Sequence, residues 1–401
     1  MLQQENSASA TTPAPTVLVC PSWWYPNRNA PFSGLFVRRQ ALAIAALCPT
    51  AVLFVTPDPS LAGQREIVRT VEDGLLTVRV YFRPAAASHG QALLNTLRFI
   101  AAAAAGRRAL PVPFQSPDLV QVQITPPVGL ILFLRWFLGR TPLIFSEHWS
   151  KYLQPPDRKH PLRRWFIHCF CRRGAAVTAV SETLARGMRA HGLRARRWQV
   201  IGNAVDPETF FPEPAKKPGE TVSILHVSSQ NEMKHIAGII RAMAVLLRRR
   251  PNCRLQIIGS GPARAGCEEL ARAEGLFGNA VLFLDPLPER ELAAVMRRGD
   301  ILVLFSAFET FACVAAEALA SGLAVVSTPT AVAEYLPEAS GILVPFADEG
   351  ALAVALEKMI DRPPTFVSSA GRRVVSERFA PREIGRHFFD LFHEVLGERK
   401  P

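Results

Sequence analysis

Short apolar segments of strand length alternate with stretches of helical periodicity along most of the chain. Apolar runs of roughly four to eight residues bounded by turn residues are typical of buried strands. They predict strands at 16–20, 51–56, 75–82, 119–123, 175–180, 223–227, 254–258, 281–284, 301–305, 324–327 and 342–344, with a further strand that ends in Glu-His-Trp at 147–149. Helical stretches such as 92–105 separate these strands. Repeated βα units of this kind indicate parallel sheets with helices on both faces.

Composition changes divide this pattern into two domains. The first fifteen residues lack the basic start and apolar core of a signal peptide, and proline and charge replace apolar residues at 212–219, as is typical of a domain boundary. We therefore predict a disordered tail at 1–15, an α/β Rossmann-like domain at 16–211, a linker at 212–219, a second Rossmann-like domain at 220–377 and a terminal segment at 378–401. Within that segment, Pro381 suits a first helical position and Ile384, Phe388 and Leu391 repeat at helical spacing.

The segment 301–322 combines a strand, a short turn and an alanine-rich helix that ends at Gly322. The start of such a helix can hold a phosphate group, because its first N–H groups are unpaired and the helix dipole is positive there. Glu309 lies in the predicted turn, and Glu317 lies two turns inside the predicted helix, roughly 9 Å further along. Apolar neighbours surround Glu317, so its carboxylate needs a partner. A diphosphate flanked by two hydroxylated rings, as in a nucleotide sugar, fits this arrangement.

The two glutamates, separated by seven intervening residues within SAFETFACVAAEALASGLAVVSTP, resemble the paired-glutamate signature of the retaining glycosyltransferases of family 4. The resemblance implies a GT-B fold, in which two Rossmann-like parallel-sheet domains face a central cleft. The first domain would bind the acceptor, the second would bind the nucleotide sugar, and a C-terminal helix would return to the first. Outside this resemblance, Glu317 in a surface salt bridge and Glu309 as a loop carboxylate remain the alternatives.

The resemblance also implies roles for individual residues. Glu309 would bind hexose hydroxyls, Glu317 would bind ribose hydroxyls, and Lys234 with the helix start at Thr310, Phe311 and Ala312 would carry the charge of the leaving diphosphate. The remaining assignments are close main-chain approach to the donor at Gly34, Gly259 and Gly261, a hydrogen bond from His148 to the sugar and acceptor with Glu147 orienting it, and supporting roles for Asn203 and Glu334. An Asx-turn is the structural alternative for Asn203, and a helix-start carboxylate is the alternative for Glu334.

Ser229 departs from the family pattern, since family members usually carry an arginine five residues before the phosphate-binding lysine. Loss of one cation from a diphosphate site removes a contact worth about 1.5–3 kcal/mol. Asn231, His235 and Arg264 are the candidates to replace it. The sequence contains no Asp-x-Asp triplet, so we expect neither a metal ion nor another cofactor.

Charge is concentrated in the first half of the chain. The net charge is +12, and residues 151–198 contain 12 basic and 2 acidic residues together with Trp165, Phe166 and Trp198. This mixture suits an anionic membrane surface, although a solvated basic face is an equal alternative. No helix-turn-helix, zinc-finger or RNP pattern indicates nucleic acid. The seven cysteines lack zinc spacing and are expected to be buried thiols.

These observations predict a cytoplasmic enzyme, peripheral on the inner face of a bacterial membrane. It would transfer a hexose from a nucleotide-diphosphate sugar to a lipid-linked or glycan acceptor during exopolysaccharide, capsule or lipopolysaccharide assembly. Two alternatives remain open. Ser229 and the single glycine in the first loop suit a non-catalytic GT-B subunit that binds a nucleotide sugar or a partner enzyme. The other alternative is a GT-B sugar-nucleotide epimerase, for which the sequence shows no dedicated acid and base.

Overall fold

The first domain is built on a sheet of eight strands. The computed structural model describes residues 14–86, 90–156, 161–213, 221–362 and 364–397. The strands are β1 (Val17–Pro21), β2 (Thr50–Pro57), β3 (Arg65–Glu72), β4 (Leu75–Phe82), β5 (Leu119–Gln123), β6 (Leu143–Glu147), β7 (Ala176–Ala179) and β8 (Trp198–Val200). Their order is β3-β4-β2-β1-β5-β6-β7-β8, and every neighbouring pair is parallel except β3 with β4. β1 and β5 are buried throughout, as expected for central strands of a parallel sheet.

The second domain is built on a parallel sheet of six strands. They are β9 (Val222–Val227), β10 (Cys253–Ile258), β11 (Val281–Leu284), β12 (Ile301–Leu304), β13 (Ala324–Ser327) and β14 (Gly341–Leu343), in the order β11-β10-β9-β12-β13-β14. The predicted pair of Rossmann-like parallel-sheet domains is therefore confirmed. The proposed tail and linker lie largely outside the described residues.

Helices connect the strands of both sheets. In the first domain they are α1 (Leu35–Ala45), α2 (Gln91–Ala109), α3 (Val112–Gln115), α4 (Val128–Phe137), α5 (Pro161–Arg173) and α6 (Glu182–Ala190). They continue as α7 (Ile236–Leu247), α8 (Arg264–Ala273), α9 (Glu289–Arg297), α10 (Cys313–Ala320), α11 (Glu349–Ile360), α12 (Pro364–Arg378) and α13 (Pro381–Gly397). Within the described ranges, no helix combines the length and apolar character needed to cross a membrane.

The last helix, α13, packs against α1 of the first domain. It buries one apolar face, whose members are Ile384, Gly385, Phe388, Leu391, Phe392 and Val395. Gly385 allows the close contact, because a Cβ atom at this position would lie 2.3 Å from the carbonyl oxygen of Ala43 in α1. The chain thus enters the second domain after β8 and returns to the first through α12 and α13.

Strand β3 is missing from the sequence prediction. It pairs antiparallel with β4 at the edge of the first sheet, and its side chains are alternately exposed and half-buried. Arg65, Glu66, Arg69 and Glu72 give it the composition of a solvent-facing loop. Charged residues on an edge strand discourage pairing with other chains, so the composition suits the position that the strand occupies.

Candidate active site

The loops that follow the strands of the two sheets face each other, as expected for ligand sites in open α/β sheets. Gln154 of the first domain donates to Met233 of the second at 3.4 Å, and Glu334 accepts hydrogen bonds from the N–H groups of Glu182 and Thr183 at 2.8 and 2.6 Å. These contacts hold loops of the two domains against each other on both sides of a cleft.

Lys234 and Glu309 form an ion pair in this cleft. Lys234 Nζ lies 2.6 Å from Glu309 Oε1, and the two side chains are 17% and 12% exposed. Their loops are tied together because the N–H of Ala307 donates to the carbonyl of Met233 at 2.8 Å. One cation and one carboxylate are thus held together at the carboxyl ends of β9 and β12. A phosphate oxygen can contact the ammonium while sugar hydroxyls contact the carboxylate.

Helix α10 begins directly after this pair. Its N-cap is Ala312, which has the left-handed φ of 61°, and the hydroxyl of Tyr335 donates to the carbonyls of Phe311 and Ala312 at 2.7 and 3.0 Å. The side chain of Phe311 is 2% exposed and contacts Tyr335 and Phe379, so at this position the main chain, and not the aromatic ring, is left to meet a ligand. The unpaired N–H groups at the helix start suit a phosphate. Thr310 lies in the same turn.

Glu317 lies deeper in α10, and its partner is an arginine from the other domain. The helix begins at Cys313, so Glu317 is little more than one turn inside it and not two turns as predicted. Its Oε1 atom is 2.5 Å from Nη1 of Arg39 in α1, whose Nη2 is also 3.1 Å from Glu289. The salt bridge is buried, since the side chains of Arg39 and Glu317 are 14% and 6% exposed. Glu317 thus forms a salt bridge, but the alternative of a bridge on the surface is wrong, because this bridge is buried between the domains.

His148 lies at the end of a buried hydrogen-bond network whose direction can be derived. The carbonyl of Gly202 can only accept, so Gln40 Nε2 donates to it at 3.0 Å. Gln40 Oε1 then accepts from Gln123 Nε2 at 3.1 Å, and Gln123 Oε1 faces His148 Nε2 at 2.6 Å. Nε2 must therefore carry the proton, which leaves Nδ1 as a hydrogen-bond acceptor.

Burial keeps this histidine neutral. His148 is 6% exposed, and its ring contacts that of Phe36 with centroids 4.8 Å apart. Burial lowers the pKa of His148 to about 3. Nδ1 is buried and has no hydrogen-bond partner among the described residues. A ligand hydroxyl could donate to Nδ1, and a neutral imidazole accepts such a bond without adding charge to the site.

The sequence analysis expected Glu147 to orient His148, but the Glu147 carboxylate does not contact the imidazole ring. Its carboxylate accepts hydrogen bonds from the main-chain N–H groups of His148 and Trp149 at 2.8 and 2.9 Å. It also accepts from the N–H of Thr125 at 3.1 Å and from the hydroxyl of that residue. Desolvation by burial raises the pKa of Glu147. The carboxylate fixes the turn after β6, because a buried carboxylate requires such donors, and positions His148 through the main chain.

The three glycines assigned to donor contacts are each required by a close contact with the main chain of another segment. Gly34 has a φ of 67° and lies at the N-cap of α1, where a Cβ atom would be 2.3 Å from the carbonyl oxygen of Trp24. At Gly259 and Gly261 a Cβ atom would lie 2.0 and 2.2 Å from the carbonyl oxygens of Ser228 and Gln230. This packing by itself requires glycine at all three positions, and the approach of a donor to them stays a prediction.

Ser229 is exposed, and the residues proposed to compensate for the missing arginine already have partners. Arg264 is paired with Glu268 at 2.9 Å and with Asp285 at 2.7 Å. The Asn231 side chain caps the turn at Met233, and the His235 ring lies 3.6 Å from Glu349. Lys234 differs from these residues, because its partner is Glu309, the carboxylate predicted to bind the sugar.

The two supporting residues lie where the domains meet. Asn203 is 4% exposed, and its Oδ1 accepts a hydrogen bond from Gln40 at 3.1 Å. Glu334, to which the resemblance gave a supporting role, caps the N-terminus of α6 in the other domain, where the hydroxyl of Ser181 also accepts from the N–H of Leu184. Sequence analysis did not find Arg39, Gln40 and Gln123, because a helical arginine or a strand glutamine carries no motif.

Family comparisons agree with this architecture. The family model described as Glycosyltransferase Family 4 matches residues 16–209, and the one described as Glycosyl transferases group 1 matches residues 221–362. A D-inositol 3-phosphate glycosyltransferase of Corynebacterium urealyticum is 28% identical over 66% of this chain and 65% of that protein. The match thus spans just under two thirds of that relative's length.

Solved structures share the fold across nearly the whole chain. Sucrose-phosphate synthase from Thermosynechococcus elongatus has a TM-score of 0.76 at 18% identity, with 96% of this chain and 100% of that chain covered. The Anabaena protein HepE in complex with UDP and glucose has a TM-score of 0.70 at 17% identity, with 94% and 99% covered. Fold and cleft define the GT-B class. Together with the two matching family models, they show that the chain belongs to the family 4 glycosyltransferases.

Proposed function

We propose that the chain is a retaining, metal-independent glycosyltransferase that moves a hexose from a nucleotide-diphosphate sugar to an acceptor. The observation that carries this proposal is the contact between Lys234 and Glu309 at the start of α10. It supplies a cation and helix N–H groups for a diphosphate beside a carboxylate for sugar hydroxyls. Glu317, further along the same helix, is the corresponding carboxylate for the ribose.

In the proposed reaction, Lys234 and the N–H groups of α10 stabilise the negative charge that develops on the departing diphosphate. The bond between the anomeric carbon and the phosphate oxygen breaks as the acceptor oxygen bonds to the same face of the sugar. The departing phosphate oxygen takes the acceptor proton. Neutral His148 accepts a hydrogen bond from a sugar or acceptor hydroxyl through Nδ1 and thereby holds that group in place.

For the acceptor, we propose a lipid-linked or polymeric glycan presented at an anionic bacterial membrane surface, as in exopolysaccharide, capsule or lipopolysaccharide assembly. Helices α2, α4 and α5 form one layer, since α2 packs against α4 and α4 against α5. Large apolar side chains are exposed on this layer, with Leu93 at 67%, Leu97 at 50%, Trp136 at 61% and Trp165 at 58%. The same helices carry Arg98, Arg107, Arg108, Arg135, Arg164, Arg172 and Arg173. Apolar and basic groups together suit an anionic lipid surface.

A small phosphorylated polyol is the second candidate acceptor. It is favoured by the name of the Corynebacterium relative, a D-inositol 3-phosphate glycosyltransferase. The two candidate acceptors predict different roles for the layer of α2, α4 and α5. A lipid-linked acceptor requires that this layer bind a membrane, whereas a soluble phosphorylated polyol does not. Transfer to inositol phosphate by protein that does not bind vesicles would favour the second candidate.

The test is a panel of UDP-, GDP- and ADP-sugars with the purified chain, scored by thermal shift and by release of free nucleotide. One donor should raise the melting temperature and be consumed, and Glu309→Ala and Glu317→Ala should abolish consumption. Glu338→Ala is a matched control, because Glu338 is an exposed glutamate in the same domain.

The other outcomes identify the alternatives. A donor that binds without turnover, with every acceptor class offered, would favour a non-catalytic binding subunit. Conversion of the donor into a stereoisomer that still carries its nucleotide would favour a sugar-nucleotide epimerase. If no nucleotide sugar binds, the proposed donor site is wrong, and the serine at position 229 is the first residue to examine.

A further inference from the structure

Arg39 is the residue through which the first domain contacts the glutamate proposed to bind ribose. It belongs to α1, and its guanidinium reaches across the cleft to Glu317 of α10 at 2.5 Å and to Glu289 of α9 at 3.1 Å. The guanidinium also lies 5.7 Å from the ring centroid of Phe210. The Arg39 side chain is 14% exposed and is bonded to residues of the second domain, so its orientation is fixed.

The contact leaves part of Glu317 available. In the described part of the chain, Oε1 is the Glu317 oxygen that receives the Arg39 hydrogen bond. A carboxylate has a second oxygen with its own lone pairs, which can accept from a ligand hydroxyl. Arg39 therefore stabilises the buried charge of Glu317 without using all of its acceptor capacity.

The position of α1 is itself fixed at the junction between the domains. Gln40, the next residue, donates to the carbonyl of Gly202 and to Asn203 at 3.0 and 3.1 Å. Movement of α1 away from this junction would withdraw Arg39 from Glu317. The orientation of the Glu317 carboxylate is thus linked to the packing of the first domain against the second.

We propose that Arg39 is a positioning residue for the donor: it holds the Glu317 carboxylate in a fixed orientation, so that recognition of the ribose hydroxyls requires the first domain to be packed against the second. The inference rests on the proposed function, in which Glu317 binds the ribose. The donor site is then completed by a residue outside the domain that holds the nucleotide. Such an arrangement links donor binding to domain closure.

The experiment compares ribonucleotides with their deoxy forms by calorimetry. The probes are whichever of UDP, GDP and ADP binds the wild-type chain, and the 2′-deoxy and 3′-deoxy forms of that nucleotide. Wild type should bind the ribonucleotide about tenfold or more tightly than at least one deoxy form, as expected for a hydrogen bond to a charged group. Arg39→Met should reduce this ratio to within about twofold of one, mainly through weaker binding of the ribonucleotide, and Arg39→Lys should retain part of it.

The matched control is Glu289→Gln, which removes the other carboxylate partner of Arg39 and leaves the contact with Glu317. It should leave the ribo-to-deoxy ratio unchanged. If Arg39→Met and Arg39→Lys both weaken the two nucleotides equally, the role is structural and the proposal is wrong. Tighter ribonucleotide binding by Arg39→Met would also overturn it, because Arg39 would then compete with the ribose. If wild type binds no nucleotide, or if Glu317→Gln retains the full ratio, the proposed function of Glu317 itself fails.

Discussion

The proposed function gives Lys234 two roles at a single atom. Its Nζ neutralises Glu309 at 2.6 Å, and the proposed function also assigns it a phosphate contact. An ammonium has three hydrogens to donate, so one group can serve both partners. This double use explains how the site could function with Ser229 in place of a second cation. It also makes the lysine more important than it would be in a site with two cations.

Lys234→Met should weaken binding of the nucleoside diphosphate by about 10- to 100-fold, the effect of one lost hydrogen bond to a charged group. Binding of the nucleoside without phosphates should change little. Isothermal titration of both ligands measures the difference. Lys358→Met serves as the control, since Lys358 is an exposed lysine on α11 of the same domain. Equal weakening of nucleoside and diphosphate would contradict a phosphate contact.

His148 should make stability depend on pH. Burial lowers the pKa of His148 to about 3, whereas a histidine in the unfolded chain titrates near 6.5. Between these values the unfolded chain binds a proton that the folded chain does not bind. The free energy of unfolding therefore falls as pH decreases from about 6.5 towards 3, and this loss is absent above neutral pH.

His148→Gln should reduce the slope of unfolding free energy against pH by about 1.4 kcal/mol per pH unit between pH 4 and 6, which corresponds to one proton. Urea unfolding at several pH values measures the slope. His226 is also buried, and its pKa is lowered to about 4, so the variant should retain part of the dependence. An unchanged slope would show that His148 is protonated in the folded chain.

Sequence reasoning at the residue scale found residues that belong to motifs and missed those that act through a distant partner. It identified Lys234, Glu309 and Glu317 as candidates, because each lies in a recognisable loop or helix context, and the structure gives each a partly or fully buried ionic contact. It could not find Arg39, whose partner Glu317 is 278 positions away in the sequence. It also expected Glu147 to contact a ring, although the nearest donors to a carboxylate at a strand end are main-chain N–H groups.

At the scale of elements, burial decided how well the sequence could be interpreted. β4, β5, β11 and β13 occupy the predicted residues, because each contains three or more apolar side chains between clear turn signals. β3 was missed because an edge strand with charged side chains lacks that signal. The start of α10 was placed too early, since nothing in the composition of residues 310–312 reveals the left-handed residue at which the helix begins.

The contact between α1 and α13 gives a prediction for two glycines. Gly385→Ala should lower the free energy of unfolding by about 1–3 kcal/mol, because its Cβ would lie 2.3 Å from a carbonyl oxygen of α1 and the helices must separate. Gly266→Ala is the matched control: Gly266 lies within α8 and a Cβ there meets nothing within 4 Å.

The control should raise stability by about 0.5–1 kcal/mol, since alanine favours the helix over glycine. Chemical denaturation of both variants against wild type measures the two effects. If Gly385→Ala is also stabilising, the two helices are less closely packed than the structure indicates.

At the scale of the whole molecule, charge and exposed apolar surface occur in the same domain. Residues 1–210 carry 24 basic and 11 acidic residues, whereas the remainder is nearly neutral. The charge asymmetry is visible in the composition, but the arrangement of the charged and apolar surface is not. Counts of residues show neither that α2, α4 and α5 pack into one layer nor that Trp136 and Trp165 point outward.

The chain should sediment with vesicles that contain phosphatidylglycerol and not with vesicles of phosphatidylcholine alone, and high salt should release it. The double variant Trp136→Ala, Trp165→Ala should reduce binding several-fold, because both side chains are more than half exposed on the helix layer. Phe277→Ala is the control, since Phe277 is 40% exposed in the second domain. Equal loss in both variants would contradict a membrane surface on this layer.

The return of α13 to α1 also affects how the chain folds during synthesis. α13, which comes much later in the sequence, covers the side of α1 on which Ala43 meets Gly385. A ribosome releases residues 381–397 only after both sheets have been translated. The first domain therefore emerges with an apolar helix surface that cannot yet be covered, and its packing is completed after translation of the second domain. During that interval the nascent chain offers chaperones a binding surface that the folded protein lacks.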